Sequence, residues 1–505
     1  MNPLIEQQVK DFRELVQKIK SYEEALAVMY WDLRTGAPKK GMEARSEVIG
    51  VLSTEMFKLS TSDEMGEFVT ALSEPEVYTQ LDELNQKIVQ ECKKEYEKSK
   101  KIPAKMYQEY VVLTTQAENV WEEAREANDF DMFKPYLEKV VAYNQQFIDL
   151  WGAKDTRYDT LLDMYEPGLT VAKLDEVFGE LRARTVPLVA AIAASASKPD
   201  MSCLEQKFDV DKQREISLFL LEQMGYDFEA GRLDVSVHPF ATGLNPGDVR
   251  ITTRYDENDL PNSLFSSLHE GGHALYEQNI SKELIGTPLC TGTSMGIHES
   301  QSRFWENMIG RSRLFWNRYY KEVQRIFPGQ LDVSEDTFYR AMNRSEPSFI
   351  RTESDELTYN LHIIIRYEIE KMLFNEGLNV ADLPAVWNAK YEEYLGITPP
   401  TDSLGVLQDV HWGGGGFGYF PSYSLGNMYA AQMMHTMRQE MPELDSYIEQ
   451  GQLAPIKAWL TEKVYQYGKS QTPGEIIQRI TGEELSPTYL IEYLEIKFKE
   501  VYNLQ

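Results

Sequence analysis

The stretch SSLHEGGHALYEQ, residues 266–278, places His269, Glu270 and His273 within about one and a half helical turns, in a chain with seven histidines. Leu264, Phe265, Leu268 and Leu275 recur at the spacing of one helical face. Pro261 suits an early helical position, where its missing N–H would have no partner. Residues four apart share a face, so the two imidazoles can converge on one ion. Zinc accepts neutral imidazole, and a catalytic zinc usually keeps three protein ligands and an open position for water. Glu270 then lies beside the metal, as a general base for zinc-bound water. Gly271 and Gly272 weaken the helix by about 1 kcal/mol each relative to alanine, and their bareness leaves space for an approaching backbone or substrate.

A third ligand is needed. Glu277 continues the face, but eight residues at 1.5 Å each put it about 12 Å along the axis from His269. Glu283 has no local histidine beside it. Glu299, in GIHESQSRFWENMIG, is the better candidate, because Ile297, Phe304 and Met308 give that segment helical spacing and a second helix can close the site. His298 is its competitor.

Outward from this motif the dominant period is helical. FRELVQKI, SYEEALAVMYWDL and SEVIGVLSTEMFKL repeat apolar residues every three or four positions, and SYEE at Ser21 reads as a capping box opening a second helix. The pattern runs to about residue 150 and returns over residues 163–226. The exception is residues 227–256, where RLDVSVHPF and DVRITTRY flank the turn sequence TGLNPGD and read as an antiparallel hairpin. The fold class expected is mainly α, with a small antiparallel β element beside the HEGGH helix.

The net charge of −29, from 51 basic and 80 acidic side chains, opposes nucleic acid and anionic membranes as partners. Cys92, Cys203 and Cys290 form no CxxC pair. The charged start MNPLIEQQVKDFRELVQKI is unlike a signal peptide, and no run approaches the ~18 apolar residues of a membrane helix. A cytoplasmic location is the expectation. WGGGGFGYF (412–420) lacks the lysine and hydroxyl of a phosphate loop and reads as a flexible closure over a cleft.

Further blocks are more specific: YWDLRTGAPKKG, HPF at 238–240, DVRIT at 248–252, HESQSR at 298–303, IRTESDELTYNLH at 350–362, GVLQDVHW at 405–412 and GYFPSYSLGN at 418–427. With HEGGH, these resemble the carboxypeptidase Taq family of zinc- or cobalt-dependent metallocarboxypeptidases over essentially the whole chain. The resemblance implies a single domain over residues 1–505, a helical cleft with helices of about 1–150 as its cover, and a homodimer. It implies one divalent metal, Zn2+ with Co2+ open, on His269, His273 and Glu299, and Glu270 as base. It also implies release of single C-terminal residues with broad preference and poor use of proline, the HPF and DVRIT blocks closing one end of the groove.

Such an enzyme must hold a free carboxylate, which a planar arginine does bidentately. The resemblance favours Arg250 and Arg351, although Asp248 and Asp355 are local partners for them. Tyr423 is the candidate donor to the oxyanion, against a buried structural role. His238 and His411 orient substrate or belong to the core. Asp409, Asp355 and His298 are candidates for supporting the first ligands, Asp409 by orienting a metal histidine. An oligopeptidase sharing the metal group, with a groove open at both ends, is the alternative; a non-enzymatic binding protein is a third class.

Overall fold

Helices fill the chain from Pro3 onward, as the apolar spacing requires. A computed structural model describes residues 2–504. The N-terminal layer consists chiefly of the helices Pro3–Thr35, Met42–Ser60, Glu83–Lys100, Ala104–Ala127 and Phe130–Trp151. The first of these runs unbroken through Ser21, so the capping-box reading of SYEE is corrected. Its apolar face continues from Phe12, Leu15 and Val16 to Leu26 and Trp31. The Ser21 hydroxyl donates to the Gln17 carbonyl at 2.9 Å, the bond a serine makes inside a helix.

The β element has three strands: β1 Gly231–Val235, β2 Ala241–Asn245 and β3 Asp248–Thr253, in the order β1-β3-β2. β2 and β3 are antiparallel, Ala241 facing Ile251. The expected pairing of RLDVSVHPF with DVRITTRY exists, but it is parallel, Gly231 facing Val249. The reason lies in TGLNPGD. Its first residues extend β2, and only Pro246 and Gly247 turn, with the Asn245 side chain accepting from the Gly247 N–H at 2.9 Å. β2 therefore occupies the antiparallel edge, and β1 joins the other. Ser236 ties the crossover down, donating to the His238 carbonyl at 2.6 Å and bonding the Thr252 hydroxyl at 2.7 Å.

Val249 and Ile251, both fully buried, lie in the sheet packed on the HEGGH helix, Leu260–Gln278. Asp259 caps that helix by accepting from the Asn262 N–H at 3.1 Å. Next to it is the helix Met295–Arg303, which packs in turn on Pro421–Glu440. Two glycines set these distances. A Cβ on Gly272 would lie 2.4 Å from the Gln301 carbonyl oxygen, and one on Gly426 would lie 2.4 Å from Glu299 Cγ. The space expected at Gly272 is thus filled by backbone. The C-terminal helix Thr488–Tyr502 packs back on the body and donates Lys497 to Glu356 at 2.5 Å in a buried pair. Among the described residues no helix is long and apolar enough to cross a membrane.

Candidate active site and metal centre

His269, His273 and Glu299 offer ligand atoms that all lie within 4.8 Å of one another. Glu299 Oε2 is 3.7 Å from His269 Nε2 and 3.5 Å from His273 Nε2. Ligands on a tetrahedral ion at about 2.0–2.1 Å are about 3.3–3.4 Å apart, so these donors fit a zinc-sized cation with little adjustment. The other ring nitrogens are already held. His269 Nδ1 faces Glu306 at 2.8 Å, and His273 Nδ1 faces His298 Nδ1 at 2.6 Å. His298 Nε2 then meets Glu277 at 2.8 Å. These contacts leave both Nε2 atoms for the metal. Both ring nitrogens of His298 are thus taken, one by His273 and one by Glu277.

Arg303 organises the carboxylates, with Nε 2.7 Å from Glu299 Oε1 and Nη1 3.2 Å from Glu306. Arg311 holds the second Glu306 oxygen at 3.1 Å. Burial opposes charge on both glutamates, but Arg303 outweighs it and keeps them ionised well below the usual carboxylate range. Glu270 is treated oppositely. Burial pushes it up to about 7, with Glu299 and Glu306 adding to the rise and His269 opposing it. Two adjacent functions thus receive opposite electrostatic settings.

Sequence reasoning missed Glu306 and Arg303. Glu299, Arg303 and Glu306 stand at i, i+4 and i+7, the spacing of one helical face, a stripe that could have been read. The π-helical turn Phe304–Gly310, which follows the Glu299 helix, carries Glu306 to His269.

Beyond Arg303 the cluster continues. Its guanidinium lies over the Tyr359 ring at 4.4 Å, and Arg351 Nη1 donates to the Tyr359 hydroxyl at 3.2 Å. Asp409 accepts from Arg351 Nη2 at 2.8 Å and Nε at 3.1 Å, and its other oxygen takes Arg366 Nη2 at 2.5 Å. Asp409 therefore orients two arginines and touches no metal histidine; Glu306 stands where that role was expected of it. Asp355 accepts from the Leu357 and Thr358 backbone N–H groups at 3.0 and 3.1 Å and from the Thr358 hydroxyl at 2.8 Å. It pins a turn and contacts neither the metal group nor Arg351. Arg351 itself starts a single short turn, Arg351–Glu353, ahead of the helix Tyr359–Lys371.

Tyr423 lies with its ring 5.0 Å from the Arg351 guanidinium and 5.2 Å from the Tyr419 ring. Burial keeps its phenol protonated far above the usual range. His411 stacks on Tyr419 at 5.6 Å and lies tilted against Phe420 at 4.6 Å, with Nδ1 4.0 Å from Asp409, and burial lowers it to about 4, so it is neutral at pH 7. Arg250 and His238 stand elsewhere. The Arg250 fork is closed on Asp248 at 2.8 and 2.7 Å, and its guanidinium lies 5.9 Å from the Trp31 ring. His238 is exposed, and its ring makes no hydrogen bond among the described residues. The glycine-rich loop is anchored: Trp412 Nε1 and the Gly418 N–H donate to buried Glu370 at 2.7 and 2.8 Å.

A helix bearing HExxH, with a glutamate from the next helix completing the metal group, defines a metallopeptidase. The family model for carboxypeptidase Taq (M32) metallopeptidases matches residues 11–498, and the chain belongs to that family. It is 54% identical to carboxypeptidase 1 of Bacillus subtilis, over 98% of this chain and 99% of that one. Thermostable carboxypeptidase 1 of Thermus thermophilus is 40% identical, over 94% of this chain and 95% of its own length. The crystal structure of the M32 carboxypeptidase from Deinococcus radiodurans R1 superposes with a TM-score of 0.95 at 38% identity, covering 98% of this chain and 100% of that one. The chain is a metal-dependent carboxypeptidase.

Proposed function

We propose that this carboxypeptidase removes single C-terminal residues with broad preference and poor use of proline, Arg351 holding the substrate carboxylate and Glu270 serving the attacking water. The observation that carries this reading is the contact chain from the metal group to the arginine: Glu299 to Arg303 at 2.7 Å, Arg303 over Tyr359, and Tyr359 to Arg351 at 3.2 Å. His269, His273 and Glu299 hold the metal, zinc by the chemistry of the donors and cobalt as the other candidate; when bound, it supplies Lewis acidity to the scissile carbonyl.

Glu270 takes a proton from the attacking water and passes it to the leaving amine, a task that suits a carboxyl poised near neutrality. Tyr423, kept protonated and on the same helix face as Gly426, which touches Glu299, donates to the developing oxyanion. Asp409 occupies the Nε–Nη2 edge of Arg351 and fixes its plane, and Tyr359 takes one Nη1 N–H, leaving the second Nη1 N–H and the outer Nη2 N–H for the substrate carboxylate, with neutral His411 alongside. Arg250 and Phe240, both against Trp31, brace the segment that carries His238, and this segment limits the groove at the β-sheet end. Residues 3–151 form the cover of a single domain, the assembly is a homodimer, and the compartment is the cytoplasm.

The test compares matched peptides ending in a free acid or an amide, with products read by mass. Stepwise loss of one residue from the acid and weak cleavage of the amide is expected. Equal internal cleavage of both would move the assignment to an oligopeptidase.

A further inference from the structure

A cavity of about 570 Å³, within the size range of small-ligand pockets, opens between the helix Glu83–Lys100 and the segment 291–298. Its charge is the reverse of the molecule's. Lys93, Lys94, Lys98, Lys101, Lys154 and Lys469 line it, against three acids, Glu95, Glu97 and Asp163, in a chain with 80 acidic and 51 basic side chains. Lys154 is answered by Asp163 at 2.6 Å, and Lys469 by Glu91. Lys94, Lys98 and Lys101 have no carboxylate within 4.0 Å among the described residues. Lys98 is the most confined of the three, its ammonium 5.3 Å from the Trp151 ring. Burial lowers its pKa, and Lys94 and Lys469 lower it further, against Glu95 and Asp163. An anion would relieve that repulsion.

The cavity reaches the outer side of the metal group. His298, one of its walls, is 2.6 Å from His273, and Tyr165, another, packs edge-on against Tyr419 at 5.2 Å. Arg351 lies beyond the other ligands, reached through Glu299, Arg303 and Tyr359. A peptide with its carboxylate on Arg351 and its last amide at the metal group would run its upstream residues towards the lysines.

We infer that the lysine-lined cavity receives acidic side chains of the substrate upstream of the scissile bond, so that peptides with glutamate or aspartate there are the preferred class. This rests on the carboxypeptidase reading with Arg351 as anchor. The test uses the metal-loaded enzyme and peptides identical at their last two residues, with glutamate, glutamine or lysine upstream. The glutamate series should exceed the glutamine series in kcat/KM by about five- to tenfold through KM, the gap shrinking as salt is raised. The double variant Lys94→Gln/Lys98→Gln should lose that gap while hydrolysing an N-blocked dipeptide, too short to reach the cavity, at the native rate. Equal kcat/KM for the glutamate and glutamine series in the native enzyme, or a gap undiminished in the double variant, would overturn the inference. A separate titration of a short oligoglutamate, read by Trp151 fluorescence, tests the cavity without turnover, and binding indifferent to the two lysines would also reject it. Failure of every peptide to lose a C-terminal residue, with that binding intact, would instead count against the Arg351 reading alone.

Discussion

The helix Met42–Ser60 buries one residue, Ile49, whereas Pro421–Glu440 buries fifteen of its twenty. Both are regular helices; they differ in what surrounds them. The first belongs to a layer with one apolar stripe and a wet face, and exposes Val48, Val51 and Phe57. The second carries polar side chains into the interior, where each needs a partner: Ser424 donates to Asn360 at 2.8 Å and Tyr429 to Glu166 at 2.8 Å. The difference teaches where chemistry can be held. Opposite settings for Glu270 and Glu299 require a dry frame of fixed dipoles, and a helix that buries only Ile49 offers none.

The largest effect should come from stripping the metal. Chelation, or Glu299→Ala, is expected to abolish hydrolysis and, for the variant, metal content as well, while far-ultraviolet dichroism shows the helices of both regions intact. Full metal occupancy with near-native turnover in Glu299→Ala would remove Glu299 from the site. Next is Glu270→Gln, which should keep the metal and lose at least about 10²-fold in kcat, the scale of a positioned acid–base group. A metal-loaded variant with ordinary kcat would defeat that role.

Two further changes separate support from contact. Arg351→Ala should cost about tenfold to a hundredfold on a free-acid peptide and far less on its amide, the loss expected for a charged hydrogen bond. An equal loss on both would leave Arg351 a structural partner of Asp409. Glu306→Gln should weaken metal affinity by about 10- to 100-fold, measured by competition with a chelator, because His269 loses the carboxylate that orients it. Unchanged affinity would make Glu306 only a partner of Arg303 and Arg311.

The convergence of His269 and His273 was legible because four-residue spacing is a local property of a helix, and so was the helical character of both regions. Legibility failed where partners come from afar. Arg351 and Asp409 are 58 residues apart in sequence, so nothing local joined them. Arg250 had its partner two residues away, and that local pair is the one the structure holds. The β element was misread for a related reason, since β1 pairs across an intervening strand that looked like turn. Glu306 was the exception. Its signal was present, but the π-helical turn that makes it matter cannot be read from periodicity.

The smallest effect on turnover, and the sharpest on the buried frame itself, is expected at Glu370. Burial raises this carboxyl to about 7, against the bonds from Tyr158, Gly418 and Trp412 and the charge of Arg366. A group raised in the fold keeps a proton that the unfolded chain has already released. Its contribution is therefore fully present below the unfolded value of 4.5 and is lost as pH rises through about 7. Glu370→Gln cannot ionise, so its thermal midpoint relative to the native chain should rise between pH 5 and pH 8, by a few degrees. Parallel curves for Glu370→Gln and the native chain would mean that its three donors and Arg366 hold it ionised, and the dry frame would not extend to this carboxyl.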